Sequence, residues 1–379
     1  MSPEFGRRHA NEPARSNVHI YQNYGPFIDC IKGPLSSRGW TLQERELSPR
    51  ILHYTKDQVL WECRECTASE ASPKLEPKSP KQLGGESGTH SFDSSLPASE
   101  RLVIVKQTAG ILSWRLLDQT SGERVEAVMR KWYALVEGYS RRQLTVKRDK
   151  LPAISGMAAE VARMNGRAPY AAGLWTNDMV RGLSWFPDPV LRRVAKRGEW
   201  PPHQPDDGIP SWSWAAFDGS ITYYGEDFQA YHGRRAVRPP QQLHLETTPA
   251  SRDPFGRVSG GVIGLSGWAV EASVSETLYD PDFRGVTFRA KCYRLPASFR
   301  YPPTLRMYFD ADAEDLPQIS IVCLRLGNGL SPRQTYGDVG LVLMRMSDGN
   351  KFRRVGMFDV EAVDQIWVSV RVETTVDIV

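Results

Sequence analysis

The sequence predicts an α+β protein in which short strands, a helical region and a β-rich region follow one another along the chain. Between residues 123 and 185 the apolar residues recur every three or four positions, the period of an amphipathic helix. Beyond residue 260, short apolar runs are separated by turn residues, as in a small sandwich or barrel. A polar stretch rich in Pro, Ser and Glu at 67–100 interrupts the N-terminal part.

Composition and charge narrow the class of protein. The chain has 379 residues, 40% of them hydrophobic and 24% charged, which is ordinary for a soluble globular protein of two or three domains. The first 19 residues contain no apolar stretch that could serve as a signal peptide, and no run reaches about 18 apolar residues, so we expect a cytoplasmic protein without a membrane partner. The net charge is +4, and the basic cluster at 192–197 is expected to be a solvated helix face rather than a nucleic-acid site.

The N-terminal segment, 1–66, contains the clearest local pattern. Trp40–Leu47 is predicted to be a short helix with Trp40, Gln43, Glu44 and Leu47 on one side. It ends at Ser48, because the residue before a proline is disfavoured in the α region. Residues 50–54 and 58–63 then predict a hairpin around a Thr-Lys-Asp turn.

Two segments of different character follow, and the β-rich region comes after them. Residues 67–100 contain too few apolar residues to bury and are predicted to be a disordered insertion. Residues 101–200 are predicted to be a helical region, with helices at 123–143, from 149 onward and at 171–185.

Residues 201–379 are predicted to be a β-rich region. Trp212 and Trp214 alternate with small residues, which predicts an extended segment at 209–219 with a partner strand at 220–224. Further strands are predicted at 261–274, 304–309, 319–326, 340–346, 351–360 and 365–376.

No catalytic or metal-binding motif stands out. Cys63 and Cys66 have the C-x-x-C spacing of half a zinc site, but a second pair of ligands is absent from the sequence, so we expect thiols and no metal. The acidic cluster at 310–315 lacks the glycine and the spacing of an EF-hand loop and is expected to be a surface loop rather than a calcium site. No cofactor is therefore expected.

Glu44 is the acidic residue with the most specific surroundings, since Trp40, Gln43 and Arg45 are its neighbours on the predicted helix. Its structural interpretation is an Arg–Glu ion pair that holds the helix against the hairpin. Its functional interpretation is a participant in a nucleotide site or a partner site.

Several of these segments, in this order, resemble one family. Residues 38–50, RGWTLQERELSPR, and 61–63, WEC, are similar to the closing signature of the fungal heterokaryon-incompatibility (HET) domain. The segments 132–144, 149–156, 170–175, 183–185, 210–214 and 352–358 resemble the region that follows that domain. The candidate motif residues are Arg38, Trp40, Gln43, Glu44, Arg45, Trp61 and Cys63, and the candidate aromatic cluster is Trp175, Trp185, Trp212 and Trp214.

The resemblance implies a role in non-self recognition and programmed cell death when incompatible hyphae fuse. It also implies a fold similar to that of TIR domains, some of which cleave NAD. In the family a much longer stretch precedes the signature, whereas here 37 residues precede Arg38. We therefore expect 1–66 to be the C-terminal remnant of a HET domain in a truncated chain.

Three functions compete at this stage. The first is a signalling protein without catalysis of its own, which acts through an unidentified protein partner. The second is a TIR-like enzyme that processes NAD or another nucleotide, with Glu44 as a participant, and that needs the missing N-terminal part of the domain. The third is a ligand-binding module in the β-rich region, with Trp212, Trp214 and Trp268 as stacking platforms.

Overall fold

The computed structural model describes residues 33–63, 66–71, 76–77, 121–188, 208–224, 239–280, 285–292, 305–310, 320–330, 336–347, 349–361 and 372–379. The basic cluster at 192–197 lies outside the described residues, as does most of the predicted insertion. Within these ranges the protein contains both helices and strands, so the α+β class is confirmed.

The N-terminal unit, residues 33–77 as far as they are described, is one short helix packed beside a small antiparallel sheet. A 3-10 turn (Pro34–Ser37) leads into helix α1 (Trp40–Leu47), and both the helix and the hairpin that follows it are confirmed. The strands are β1 (Arg50–Tyr54), β2 (Val59–Cys63), β3 (Cys66–Ser69) and β4 (Glu76–Pro77), hydrogen-bonded in that order.

Strands β3 and β4 correct the predicted insertion, because both lie largely inside 67–100. The prediction of disorder is wrong at 67–69 and 76–77. The prediction rested on the small number of apolar residues in this stretch. Strand β3 forms nevertheless, because its backbone N–H and C=O groups pair with those of β2, from Leu60 opposite Ser69 to Glu62 opposite Thr67.

The helical region begins with α2 (Ser121–Ser140), whose apolar residues form the buried face that the sequence predicts. Two 3-10 turns, Lys147–Asp149 and Pro152–Ile154, precede α3 (Ser155–Met164), so the second helix begins later than predicted. Among the helices in the described part of the chain, none has the length and apolar character that crossing a membrane requires.

The predicted third helix at 171–185 is wrong. The chain forms a small hairpin of β5 (Tyr170–Ala171) and β6 (Leu174–Trp175), then a 3-10 turn, the short helix α4 (Met179–Leu183) and strand β7 (Trp185–Pro187). Ala172 and Gly173 both have positive φ, 43° and 99°, which a right-handed helix does not allow. Helical periodicity could not reveal this turn.

The predicted strand at 209–219 is also wrong. Trp214–Ala216 is a 3-10 turn, and the Ser213 hydroxyl accepts a hydrogen bond from the Ala215 N–H at its start. The return strand is present as β8 (Ile221–Tyr223), but it pairs with β7 rather than with 209–219.

The β-rich region is an eight-stranded sheet that closes on itself. Strand β10 (Val258–Asp280) pairs with β11 (Gly285–Cys292) and with β13 (Ser320–Leu330), and the order β10-β11-β12-β15-β14-β13-β10 completes a ring. The other strands are β9 (Gln241–Pro249), β12 (Leu305–Phe309), β14 (Tyr336–Arg345), β15 (Lys351–Glu361) and β16 (Glu373–Ile378). The sequence prediction identified most of them and missed β9 and β11.

Two apolar cores follow from alternation along the ring strands. In β13, Ile321 and Cys323 belong to a cluster made of strand residues alone, whereas Val322 and Leu324 belong to a cluster that also contains the apolar residues of α2, α3 and β7. Because both faces of these strands are buried, their sequences are almost continuously apolar. The helical region and the ring therefore share one core.

Candidate functional site

The family-motif residues lie on α1 and on the sheet beside it. Arg38 is exposed, and its carbonyl oxygen accepts hydrogen bonds from Thr41 Oγ1 at 2.8 Å and from an Arg142 guanidinium nitrogen at 3.2 Å. Trp40 is 40% exposed, and Leu47, on the same side of the helix, is half-buried. The buried residue of α1 is Leu42.

Gln43 connects the motif to the helical region. Its Oε1 accepts a hydrogen bond from the Gly156 N–H at 2.8 Å, at the start of α3. The backbone adds two further bonds, from the Gly39 N–H to the Gln143 carbonyl at 2.8 Å and from the Gln143 N–H to the Ser37 carbonyl at 2.6 Å. The signature helix is therefore fixed to the segment that follows α2.

Among the residues that the structure describes, Glu44 does not form the predicted ion pair. Its side chain is exposed, and it is the neighbouring Arg45 that reaches the hairpin. Arg45 Nε and NH2 donate to the two carboxylate oxygens of Glu62 at 3.1 and 2.9 Å, a two-point contact between α1 and β2. The predicted Arg–Glu contact thus exists, but Glu62 supplies the acid.

A histidine completes this cluster. His53 Nε2 lies 2.8 Å from Glu62 Oε2, and the Glu62 side chain is only 8% exposed, against 23% for Arg45 and 19% for His53. Alternation in the hairpin places His53 and Glu62 on the face of the sheet that meets α1. Sequence reasoning missed both residues, although period-two alternation with the buried Leu60 could have placed Glu62 on the inner face.

The opposite face of the same sheet exposes large apolar side chains. Leu52 and Tyr54 of β1 are 55% and 80% exposed. Trp61 of β2 lies opposite Leu52 in the strand register and is half-buried. Strand β1 is also the edge of the four-stranded sheet. We call Leu52, Tyr54 and Trp61 the outer hairpin face.

Cys63 and Cys66 are both half-buried thiols at the ends of β2 and β3. Their sulfur atoms lie 3.6 Å apart. Among the described residues there is no group of three or more His, Cys, Asp or Glu side chains suited to hold a metal ion. In the acidic cluster at 310–315, Asp310 is buried and pairs with Arg354, so it is not part of a surface loop; residues 311–315 lie outside the described ranges.

The aromatic cluster is a core and not a stacking platform. Trp175, Trp185, Trp212 and Trp214 are each at most 2% exposed. The indole N–H of Trp185 donates to the Trp212 carbonyl at 3.0 Å, and that of Trp214 donates to the Gly173 carbonyl at 3.1 Å. Trp268 is half-buried and packs against the apolar cluster that contains Ile321 and Cys323. The hypothesis of stacking platforms is therefore wrong for Trp212 and Trp214, whose rings are enclosed.

Arg354 joins the ring to the helical region. It lies in β15 with no exposed surface, and its guanidinium carbon is 3.4 Å from the centroid of the Trp185 ring. It donates to the carbonyls of Leu183, at 3.0 Å, and of Trp185, and Nε lies 3.3 Å from Asp310 Oδ2. Burial lowers the pKa of Arg354 to about 10, and Asp310 opposes that shift, so the guanidinium stays charged near neutral pH.

A second buried acid at the same joint is Asp359. The hydroxyls of Tyr224 and Tyr308 both donate to its Oδ2 at 3.0 Å. These polar contacts connect β15 to the segment after β8 and to β12. They are structural, because each partner is itself buried.

Comparison of the chain with protein-family models, with curated proteins and with solved structures finds no match.

Proposed function

We propose that this chain is a HET-type protein of fungal non-self recognition, which signals through contacts with a protein partner and has no catalysis of its own. In this proposal the N-terminal unit corresponds to the closing part of a TIR-like HET domain. The helical region and the ring correspond to the region that follows that domain.

The observation that carries the proposal is that the segments of the family resemblance touch one another although they are far apart in sequence. Gln43 of the signature binds Gly156 of the segment 149–156. Trp214 binds Gly173 of the segment 170–175, and Arg354 of the segment 352–358 binds Leu183 and Trp185. The contacts support the proposal because they make these segments parts of one architecture.

The surface of the N-terminal unit supports a role in protein contacts. Four large apolar side chains in residues 33–63 are well exposed, namely Leu35, Trp40, Leu52 and Tyr54. Exposed apolar side chains that lie close together mark interaction sites more often than scattered ones do. Leu52 and Tyr54 are neighbours on the outer hairpin face, two residues apart in β1.

The enzyme hypothesis gains no support from the surroundings of Glu44. A general acid or base is held by its neighbours within hydrogen-bond reach of its substrate, whereas Glu44 is exposed on α1. The acid with specific partners is Glu62, whose carboxylate is engaged by Arg45 and His53.

Co-expression in a filamentous fungus tests the proposal. We expect the chain alone to leave growth normal and to change the extent of cell death when it is co-expressed with an incompatible pair of HET effectors. Leu52→Asp combined with Tyr54→Asp should abolish that change, because charge on the outer hairpin face prevents apolar contact. Val146→Asp and Val372→Asp place the same charge on exposed residues elsewhere and should leave it intact.

Three results would contradict the proposal. Killing by the chain alone, at the level of an intact effector, would show that it is itself an effector. Loss of NAD on incubation with the purified chain, abolished by Glu44→Gln, would favour the enzyme. An unchanged death response with and without the chain would remove the signalling role.

A further inference from the structure

Cys63 and Cys66 are direct neighbours across two strands. The antiparallel register of β2 and β3 pairs Leu60 with Ser69, Trp61 with Ala68 and Glu62 with Thr67. Continued by one residue, the same register places Cys63 opposite Cys66. Their sulfur atoms lie 3.6 Å apart, with two residues between them in sequence.

This placement satisfies the geometric needs of a disulfide. Directly opposed residues of an antiparallel pair have Cα atoms about 4.5 to 5.5 Å apart, and disulfides form at Cα separations of roughly 4.4 to 6.8 Å. The sulfur atoms must approach to about 2.05 Å. Rotation about the Cα–Cβ bonds can supply that movement, so the strands need not separate.

The surroundings favour Cys63 as the attacking sulfur. The Cys66 backbone N–H lies 3.4 Å from Cys63 Sγ and points a partial positive charge at it. Arg50 is the partner of Cys63 in the β1–β2 register and adds a full positive charge on the same face. The thiolate is the nucleophile in thiol–disulfide exchange, and positive charge stabilises it. Both thiols are half-buried, whereas Cys323 is fully enclosed in the ring.

We propose that Cys63 and Cys66 form a redox-active dithiol that reduces low-molecular-weight disulfides of the glutathione type and is itself converted to an intramolecular disulfide. The Cys63 thiolate attacks one sulfur of the small disulfide, so a mixed disulfide forms and one thiol leaves. Cys66, as the thiolate, attacks Cys63 Sγ and expels the second thiol. Two electrons pass from the protein to the small disulfide, and the two protons end on the released thiols. The site goes beyond the signalling role and does not depend on it.

Peptide mapping of the oxidised full-length chain tests the site. The purified protein is equilibrated with mixtures of oxidised and reduced glutathione, alkylated under denaturing conditions and digested with trypsin without reductant. Trypsin cleaves after Arg64, between the two cysteines, so the disulfide should join fragments 57–64 and 65–74. Uncut 57–74 that lacks two hydrogen atoms and carries no alkyl group reports the same bond. Reduction should release both fragments.

Matched variants separate the two sulfur atoms. Cys66→Ser should retain glutathione on fragment 57–64, because the resolving thiol is gone. Cys63→Ser should carry several-fold less glutathione on 65–74, and Cys323→Ser should behave as the parent. Separate, fully alkylated fragments at every glutathione ratio would overturn the proposal. So would linkage of either cysteine to Cys30 or Cys292, and so would preferential labelling of Cys66 in the Cys63→Ser variant.

Discussion

Charged residues that are buried connect parts of this chain that are distant in sequence. Glu62 connects the hairpin to α1, and Arg354 connects β15 to the segment that contains Trp185. Charges of this kind are costly to desolvate, and each needs its partner to remain buried. Substitution of one partner should therefore lower the free energy of unfolding, which can be measured.

The contact between Arg45 and Glu62 should be visible in a double-mutant cycle. We expect Arg45→Met and Glu62→Gln each to lower the free energy of unfolding by about 1–3 kcal/mol, with a coupling energy of about 1 kcal/mol or more, because the two-point hydrogen bond is charge-assisted and half-buried. Urea unfolding monitored by tryptophan fluorescence measures both quantities. Glu44→Gln is the matched control and should stay within about 0.5 kcal/mol of the parent. A coupling near zero would contradict the assignment of Glu62.

Removal of the Arg354 guanidinium should strongly destabilise the protein. Arg354→Ala leaves Asp310 buried opposite no cation, so we expect a loss of about 3–5 kcal/mol in the free energy of unfolding. Arg354→Met combined with Asp310→Asn should recover part of that loss, because no charge then remains buried at this place. Lys351→Ala, an exposed position in the same strand, is the control. Equal urea midpoints for Arg354→Ala and the parent would refute the role of Arg354 at the joint.

Asp178 should make stability depend on pH. Burial raises its pKa from 3.8 to about 6, against the opposing effects of Arg181 and of the hydrogen bond from the Tyr133 hydroxyl. Between these two values the folded state keeps a proton that the unfolded state has lost, so stability falls as pH rises from about 4 to about 6.

The size of this effect follows from a shift of about two pKa units, which corresponds to about 3 kcal/mol. Asp178→Asn keeps an acceptor for the Tyr133 hydroxyl and removes the titration. The variant should therefore gain about 3 kcal/mol relative to the parent between pH 4 and pH 7. Urea titrations at each pH measure it, with Asp57→Asn on an exposed turn as the control. Parallel pH profiles for Asp178→Asn and the parent would exclude this assignment.

In this protein, some segments with helical or strand periodicity form a different secondary structure because a turn interrupts them. The segment 171–185 has helical spacing of apolar residues, but the positive φ of Ala172 and Gly173 turns it into a hairpin. The same hairpin carries the carbonyls that bind Trp214 and Ser213. The sequence prediction was therefore least accurate for single helices and strands whose course is changed by such a turn.

Gly173 is required by a close approach as well as by its backbone angle. A Cβ at this position would overlap the Trp214 indole nitrogen. We expect Gly173→Ala to cost about 2–4 kcal/mol, the sum of an unfavourable φ and a steric clash in a packed core. At Gly166, where φ is also positive and a Cβ meets open space, alanine should cost only about 1 kcal/mol. Thermal unfolding of the two variants tests this, and equal effects would show that the clash is relieved.

At the scale of the whole molecule, the shared core joins the helical region to the ring. Residues of α2, α3, β7, β13 and β15 belong to one apolar cluster, with Arg354 and Asp359 bonded across the same boundary. A boundary with an apolar core and buried polar bonds predicts cooperative unfolding of both regions.

Hydrogen exchange should show this cooperativity. Met357→Ala empties a fully buried position of the shared core in β15, so we expect a loss of about 2–5 kcal/mol in the free energy of unfolding. Exchange measured by mass spectrometry should accelerate in peptides from α2 and from β14 by the same factor. The exposed Val146→Ala should change neither. Faster exchange in β14 with unchanged exchange in α2 would show that the two regions unfold separately.

Elements that depend on local patterns could be predicted from the amino-acid sequence alone. Helix α1, the first hairpin, α2 and most ring strands follow from apolar spacing and from Pro49 after the first helix. The candidate motif was also located, because its residues are contiguous.

The partners of those residues could not be predicted in this way, because they depend on the folded chain. The choice of Glu62 over Glu44, the burial of the tryptophans, the pairing of β8 with β7 and the burial of Arg354 depend on contacts between segments far apart in sequence. Local periodicity contains no information on such contacts, since burial and pairing are properties of the assembled chain and override local preference. The short distance between the Cys63 and Cys66 sulfur atoms depends on both sequence and fold. The C-x-x-C spacing can be read from the sequence, whereas the pairing of β2 with β3 places the two residues opposite each other.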